Sequence, residues 1–239
     1  MKGVILAGGT GSRLQPLTSI VNKHMLPVGK KPMILHPVDS LVQSGIDDIL
    51  VITGPTHIGQ IGGLLGSGDE FNCSITLKVQ DRPAGIADAL RLCQSFVASE
   101  KFVMLLGDNI FELPIEAHVE QFFDSSCAAN AQLHFARTSS PHLYGVGEFA
   151  DNRLVRIHEK PTHPSSDLAC TGLYMYDATV FEAVERVSPS RRGEMEITDV
   201  NNMLIREGRV HHSLIDGWWQ DAGTFETYMA VNRLLSEFP

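Results

Sequence analysis

Val4-Ile5-Leu6-Ala7 runs directly into Gly8-Gly9-Thr10-Gly11-Ser12-Arg13-Leu14. Four apolar residues in succession, with no polar alternation, suit a strand buried on both faces, and such a strand needs helices on either side of a parallel sheet. Val103-Met104-Leu105-Leu106 repeats the pattern later in the chain. Around these runs, short apolar segments alternate with amphipathic stretches of helix length: Pro32–Ser44, Ile49–Thr53, Ile75–Val79, Ile86–Val97, Phe102–Leu106, Ile115–Phe123 and Leu133–Arg137. The alternation predicts an α/β domain of three layers built on a mostly parallel, Rossmann-like sheet. Ligands of such sheets lie beyond the carboxyl ends of the strands, so the glycine loop after Ala7 is the first place to look for chemistry.

The second half of the chain has a different character. Gly145–Phe149, Leu154–His158 and Thr171–Tyr176 read as strands with few long helices between them, which predicts a β-rich subregion beside the main sheet. Helices are expected at Ala178–Arg186, Thr198–Glu207 and Thr224–Glu237, and Pro37 should kink the Pro32–Ser44 helix or shift its start. With no internal repeat and no linker longer than the Thr162–Asp167 turn, the 239 residues read as one domain, in which lobes of about 1–137 and 138–223 precede a C-terminal helix at 224–239. A hydrophobic content of 43% fills the core that a chain of this size requires.

Charge and composition narrow the classes of partner. The 28 acidic residues outnumber 19 basic ones, the net charge is −9, and no Lys/Arg block occurs, which argues against nucleic acid or an anionic membrane. Apolar runs such as Val103–Leu106 fall far short of the roughly 18 residues of a membrane helix. Strand-like residues from Gly3 onward leave no secretory hydrophobic region, and the expected location is the cytoplasm. Cys73, Cys93, Cys127 and Cys170 are widely spaced and read as buried thiols rather than disulfides or zinc ligands. The ten histidines include no HxH or HxxxH pair.

In the glycine loop, Gly8, Gly9 and Gly11 permit a tight turn that exposes successive N–H groups, and Arg13 adds a fixed guanidinium; together they suit a polyphosphate. A plain strand-to-helix turn is the competing interpretation, and Arg13 with Lys23 tips the balance towards phosphate. The dinucleotide pattern GxGxxG fails at Leu14, where its third glycine belongs. The P-loop pattern fails because Gly29-Lys30 continues with Lys31.

Longer stretches carry a family likeness. GGTGSRLQPLT at 8–18 is followed by NKHMLPVGKKPM at 22–33, VQDRPAGIADAL at 79–90, LLGDNIF at 105–111, YGVGEF at 144–149, EKP at 159–161, TGLYMYD at 171–177, RGEMEITDVN at 192–201 and WWQDAG at 218–223. In this order and nearly end to end, the chain resembles the sugar-1-phosphate nucleotidyltransferases, and within them the branch that acts on dTTP and glucose 1-phosphate. The resemblance implies that Asp108 and Asp221, each at the end of a short strand, hold a catalytic Mg²⁺, an ion that takes one or two carboxylates plus substrate phosphates. It makes Arg13, Lys23, Asp108, Lys160 and Asp221 the catalytic group. It assigns Leu6, Gly8, Gly9, Thr10, Gly11, Arg13, Gln80, Pro83, Gly85 and Asp108 to the nucleotide, with the Gln80 amide reading thymine or uracil through its donor and its acceptor. Tyr144, Gly145, Glu159, Lys160, Thr171 and Arg192 fall to the sugar phosphate.

Some residues pull against this pattern. Period-two alternation places Glu159 beside Val155 and Ile157 and opposite Lys160, so the strand must twist or end there if both face one pocket; Pro161 favours an extended Lys160. Asp81 and Arg82 are unusually charged for a base-recognition segment, Cys170 reads as packing, and of Trp218 and Trp219 at least one should be core. The expected reaction is Mg²⁺-dependent transfer of a thymidylyl group from dTTP to glucose 1-phosphate. Uridylyl transfer and a non-catalytic sugar-nucleotide sensor are the alternatives, and a homo-oligomer stays open.

Overall fold

The computed structural model describes residues 1–124 and 126–237; Phe238 and Pro239, at the end of the expected C-terminal segment, lie outside the described residues. In chain order, β1 (Lys2–Ala7) leads through the glycine loop to the short pair β2 (Pro27–Val28) and β3 (Lys31–Pro32), then α1 (Leu35–Gln43), β4 (Asp48–Thr53), α2 (Ile58–Leu65) and β5 (Ser74–Val79). Next come α3 (Ile86–Leu92), α4 (Gln94–Val97), β6 (Phe102–Leu106), β7 (Asn109–Phe111), α5 (Glu116–Phe123) and β8 (Ala131–Arg137). The hairpin β9 (Gly145–Ala150) and β10 (Arg153–Glu159) precedes β11 (Leu168–Tyr176), α6 (Val180–Arg186), α7 (Ile197–Arg206), β12 (Val210–Leu214), β13 (Trp219–Asp221) and α8 (Phe225–Glu237).

One nine-stranded sheet organises the chain. Its first half, β5-β4-β1-β6, is parallel throughout, and Ala7, Thr53, Val79 and Leu106 end those strands in neighbouring registers, so their carboxyl ends share one edge. The long β11 is antiparallel to β6 along Leu173–Tyr176 and meets the β9–β10 hairpin at Ala169, while β8 runs along its other side and β12 lies parallel to β8. Parallel pairing thus unites the strands of the first half that read as apolar runs, and the β-rich subregion continues the same sheet through antiparallel pairs, with β12 added parallel to β8 at its side, so the sheet as a whole is mixed.

Side-chain alternation along the central strands builds the three layers. Val4, Leu6, Phe102 and Met104 pack on one face with residues of α3, α6 and α7. Ile5, Ala7, Val103 and Leu105 pack on the other with α1, α2 and α5. Strands covered on both faces need apolar residues at every position.

Helix limits follow local chemistry. Helix α1 begins at Leu35, so Pro37 falls in its first turn, where a missing N–H costs nothing. The single helix expected over Ile86–Val97 is interrupted at Cys93. Helix α2, absent from the sequence expectation, carries three glycines in IGQIGGLL; a Cβ on Gly62 would stand 3.0 Å from Leu77 Cδ1, so tight packing on β5 overrides poor propensity. Of the four thiols expected to be buried, Cys73 and Cys93 are buried while Cys127 and Cys170 are half-buried, because they sit on a loop and on a cavity wall. Among the described residues no helix is long and apolar enough to cross a membrane.

Candidate active site

A cavity of about 550 Å³ opens at the carboxyl ends of the parallel strands and extends towards the β9–β10 hairpin. Leu6, Gly8, Gly9, Arg13, Lys23, Gln80, Pro83, Gly85, Asp108, Tyr144, Gly145, Glu159, Lys160, Thr171, Arg192 and Asp221 all line it. Of the residues that the sequence assigned to the site, Thr10 and Gly11 stay outside the lining; Gly11, at φ 68°, closes the turn instead.

The glycine loop is shaped around a lysine. A Cβ on Gly9 would lie 3.0 Å from Lys23 Cε and 3.1 Å from its Nζ, so a side chain there would press on the lysine and shift its ammonium by a few tenths of an ångström. Lys23 is 9% exposed and its Nζ pairs with Asp108 Oδ2. Asn22 holds the lysine's turn in place by accepting from the His24 N–H at 2.8 Å and from the His24 ring at 2.8 Å. Burial, followed by the nearby Lys23 charge, pushes the His24 imidazole down to about 3, so it lies neutral against Gly107.

Asp108 and Asp221 meet through strand pairing. β13 runs antiparallel to β7 with Asp221 opposite Asn109, and Ala222 N–H donates to Asp108 O at 2.8 Å. A Cβ built on Gly223 would fall 2.6 Å from Asp221 Oδ1, 3.2 Å from Arg13 Nη2 and 3.5 Å from Asp108 Oδ2, so two acids and a guanidinium surround one small volume. Burial alone would push the Asp108 carboxyl up, but the Lys23 ammonium, with lesser help from the Asn109 amide, outweighs it and holds that carboxyl well below the usual range. Asp221 moves the other way: burial first, then the Asp108 charge, push it up, although it accepts the Gly223 N–H at 2.6 Å. Two hard oxygen donors with mismatched proton affinities form a site that a small divalent cation would complete, its remaining positions filled by phosphate oxygens and water. Among the described residues no group of three or more His, Cys, Asp or Glu offers an all-protein metal cage.

Asn109, to which the sequence assigned no role, is a hub of this arrangement. Its Oδ1 accepts from Gly172 N–H at 2.8 Å and from Trp219 Nε1–H at 2.6 Å, so its amide must turn Nδ2 towards Asp108 Oδ1, 3.0 Å away. Trp219 is buried and meets Tyr144 edge to face at 5.1 Å, whereas Trp218 is half-buried against a small cluster of Val28, Met33, Ile110, Ala222 and Val231. Burial, then the Asp221 charge, push the Tyr144 phenol up to about 12 and keep it a donor.

At the far end, β10 stops at Glu159 and resolves the tension in the strand pattern. Lys160 was expected to be extended before Pro161, but it sits at φ 43°, with its N–H donating to Tyr144 O at 3.0 Å. The left-handed turn swings the lysine to the cavity side that Glu159 already faces. An irregularity between Leu154 and Arg156 also separates exposed Val155 from buried Ile157. Glu159 is fixed by Thr198 Oγ1 at 2.6 Å and Arg192 Nη2 at 3.2 Å, and Arg192 also bonds Glu196 at 2.9 Å. Arg192 is therefore surrounded by carboxylates, and Lys160 is the more available cation for an anionic ligand. Cys170 lines this end too, its thiol pushed up by burial.

Gln80, at the glycine-loop end of the cavity, is held differently from the expectation. Its Nε2 donates to Asp88 Oδ2 at 2.9 Å and to Gly85 O at 3.2 Å, so both amide hydrogens are spent and Oε1 alone is left towards Gly8. Asp81 and Arg82 point outward and are exposed.

Comparison with known proteins agrees with this geometry. A sequence profile of nucleotidyl transferases matches residues 2–237. A glucose-1-phosphate thymidylyltransferase of Neisseria meningitidis is 42% identical over 95% of this chain and 80% of its own length. The low-salt glycan biosynthesis nucleotidyltransferase Agl11 of Haloferax volcanii is 38% identical over 99% of this chain, which spans 66% of that protein. A Bacillus anthracis protein proposed to be a glucose-1-phosphate thymidylyltransferase, solved with sucrose, superposes with a TM-score of 0.94 at 45% identity, covering 100% of this chain and 96% of the other. A UDP-glucose pyrophosphorylase bound to UDP-glucose shares the fold, with a TM-score of 0.86 at 21% identity. By sequence, fold and the residues gathered in its cavity, this chain belongs to the nucleotidyl transferase family.

Proposed function

We propose that the chain transfers a thymidylyl group from dTTP to glucose 1-phosphate, giving dTDP-glucose and pyrophosphate, with Mg²⁺ as the metal. One observation carries the reading: a single cavity has the Lys23-backed glycine loop at one end, Glu159 and Lys160 at the other, and Asp108 with Asp221 between them. The name of the Neisseria relative supports the choice of substrates. Residues of about 1–137 serve the nucleotide, and those of about 138–223 serve the sugar phosphate.

The oxygen of the sugar phosphate attacks the α-phosphorus of the nucleotide in line, forming a new O–P bond as the bond to the β-phosphate breaks and pyrophosphate leaves. Little covalent chemistry falls to the protein. Loop N–H groups after Ala7 and the Lys23 ammonium cradle the triphosphate, and Arg13 offsets charge on the leaving side. Lys160 holds the phosphate of the sugar, Glu159 accepts from a sugar hydroxyl, and the buried Thr171 and Gly145 shape that end. Asp108 and Asp221 would hold the Mg²⁺, which supplies Lewis-acid neutralisation of the phosphate oxygens when bound. Positioning the two anions against each other provides most of the acceleration.

Pyrophosphate release, measured with dTTP, UTP, dCTP and dATP, with and without glucose 1-phosphate and with Mg²⁺ or a chelator, tests the reading. Release should require the sugar phosphate and the metal, and dTTP should lead. The thymine methyl is worth only about 1–3 kcal/mol in an apolar pocket, so UTP should follow rather than fail. UTP as the best substrate would favour uridylyl transfer. Binding of dTDP-glucose without any release would favour a sensor.

A further inference from the structure

The geometry points to Asp88 as the residue that sets base selectivity, by fixing which face of the Gln80 amide is offered to the nucleotide. This rests on the reading that Gln80 meets the base. Gln80 is 8% exposed and follows β5, with its N–H donating to Thr53 O at 2.9 Å. An amide in that position could turn either way and would then offer a donor or an acceptor. Asp88, in the first turn of α3, removes the choice: a carboxylate has no proton to give, so the group 2.9 Å from its Oδ2 must be the Gln80 NH₂. Gly85 O, another pure acceptor, takes the second hydrogen at 3.2 Å. The other Asp88 oxygen is engaged by Arg91 Nη2 at 2.7 Å, which keeps the carboxylate from rotating. What remains is Oε1, an acceptor with no donor beside it. It matches N3–H of thymine or uracil and opposes the bare N3 of cytosine. Asp88 touches no substrate in this scheme and is a positioning residue.

The test is kcat/KM for dTTP and dCTP in the full-length enzyme. Asp88→Ala, which frees the amide to rotate, should lower the dTTP:dCTP ratio by about ten- to a hundredfold, the worth of one hydrogen bond to a charged group. The change should appear in KM for the nucleotide, with KM for glucose 1-phosphate unchanged as evidence that the fold is intact. Asp88→Asn keeps the size of the side chain but, with its oxygen drawn to Arg91, turns an NH₂ towards Gln80, so the ratio should fall at least as far as in Asp88→Ala. Gln80→Ala should abolish selectivity, and adding Asp88→Ala to it should lower the ratio no further, because one residue acts through the other. An unaltered ratio in Asp88→Ala, or a further fall in the double variant, would overturn the proposal while base reading by Gln80 stands. If the unmodified enzyme uses dCTP as well as dTTP, base reading itself fails and this proposal with it, a result visible before any variant is made.

Discussion

Replacing Asn109 with alanine probes how the two acidic residues are held. The side chain satisfies two buried donors, the Gly172 N–H at 2.8 Å and the Trp219 indole N–H at 2.6 Å, and donates to Asp108 at 3.0 Å. Each stranded donor costs about 1–3 kcal/mol, so the pair amounts to about 2–6 kcal/mol. For a chain of this length a kcal/mol shifts Tm by about 2–4 °C, and the melting point without ligands should drop by about 4–24 °C. Water entering from the cavity would keep the loss near the lower end. Trp219→Phe removes one of the donors outright, so the double variant Asn109→Ala/Trp219→Phe should lose less than the two single losses combined. Thermal denaturation of the four proteins at one pH reads the cycle. An Asn109→Ala melt within about 2 °C of the parent, or strict additivity in the double variant, would refute the account of Asn109 as the shared acceptor.

Asp221→Asn should lower turnover on the order of 10³-fold, about 4 kcal/mol of barrier, and a near-normal kcat at saturating Mg²⁺ would exclude a metal shared with Asp108. The same variant has a pH signature. Because Asp221 is raised in the folded chain, its contribution to stability is complete below the ordinary carboxylate range and is lost as pH rises through the raised value, so metal-free Tm should decline there in the parent and stay flatter in Asp221→Asn. Asp108, held low, contributes in the opposite sense, and its share disappears only in strong acid. Lys160→Ala should chiefly raise KM for the sugar phosphate and Lys23→Ala should chiefly impair the triphosphate; separate titrations of each substrate decide this, and the reverse pattern would mean that the two ends have been exchanged.

The layered sheet was legible because β1 from Val4 to Ala7 and β6 throughout are apolar at every position, a pattern that burial on both faces explains. Asp108 was legible through the family likeness of LLGDNIF, because a place just beyond such a strand is equally that of an ordinary turn residue. Its partner was harder to place. Asp221 reaches it through β7 and β13, two strands of three residues each, too short for any periodicity, and the register that sets Asp221 opposite Asn109 is a tertiary fact. Asn109 itself drew no assignment, since nothing local signals that its acceptor serves a glycine and a tryptophan far away in the chain. The direction of the Gln80 amide was equally hidden, because it depends on a carboxylate one helical turn into α3. Lys160 shows the limit of dipeptide rules: the residue before proline usually stays extended, yet here the end of β10 and a bond to Tyr144 O hold it in the left-handed region.

Gly85 joins two parts of the cavity. At φ 103° its Cα faces Met195 so closely that a Cβ would lie 2.4 Å from the Met195 carbonyl oxygen, and the same stretch is stitched by Met195 N–H to Ala84 O at 2.7 Å and Ala87 N–H to Met195 O at 3.1 Å. Met195 stands between Arg192 and Thr198, the two residues that anchor Glu159. The loop proposed to meet the base and the segment proposed to frame the sugar are therefore one mechanical piece. On that proposal, enlarging the sugar end by substitution around Thr198 should also shift the backbone that carries Gly85, so sugar tolerance and nucleotide choice should change together.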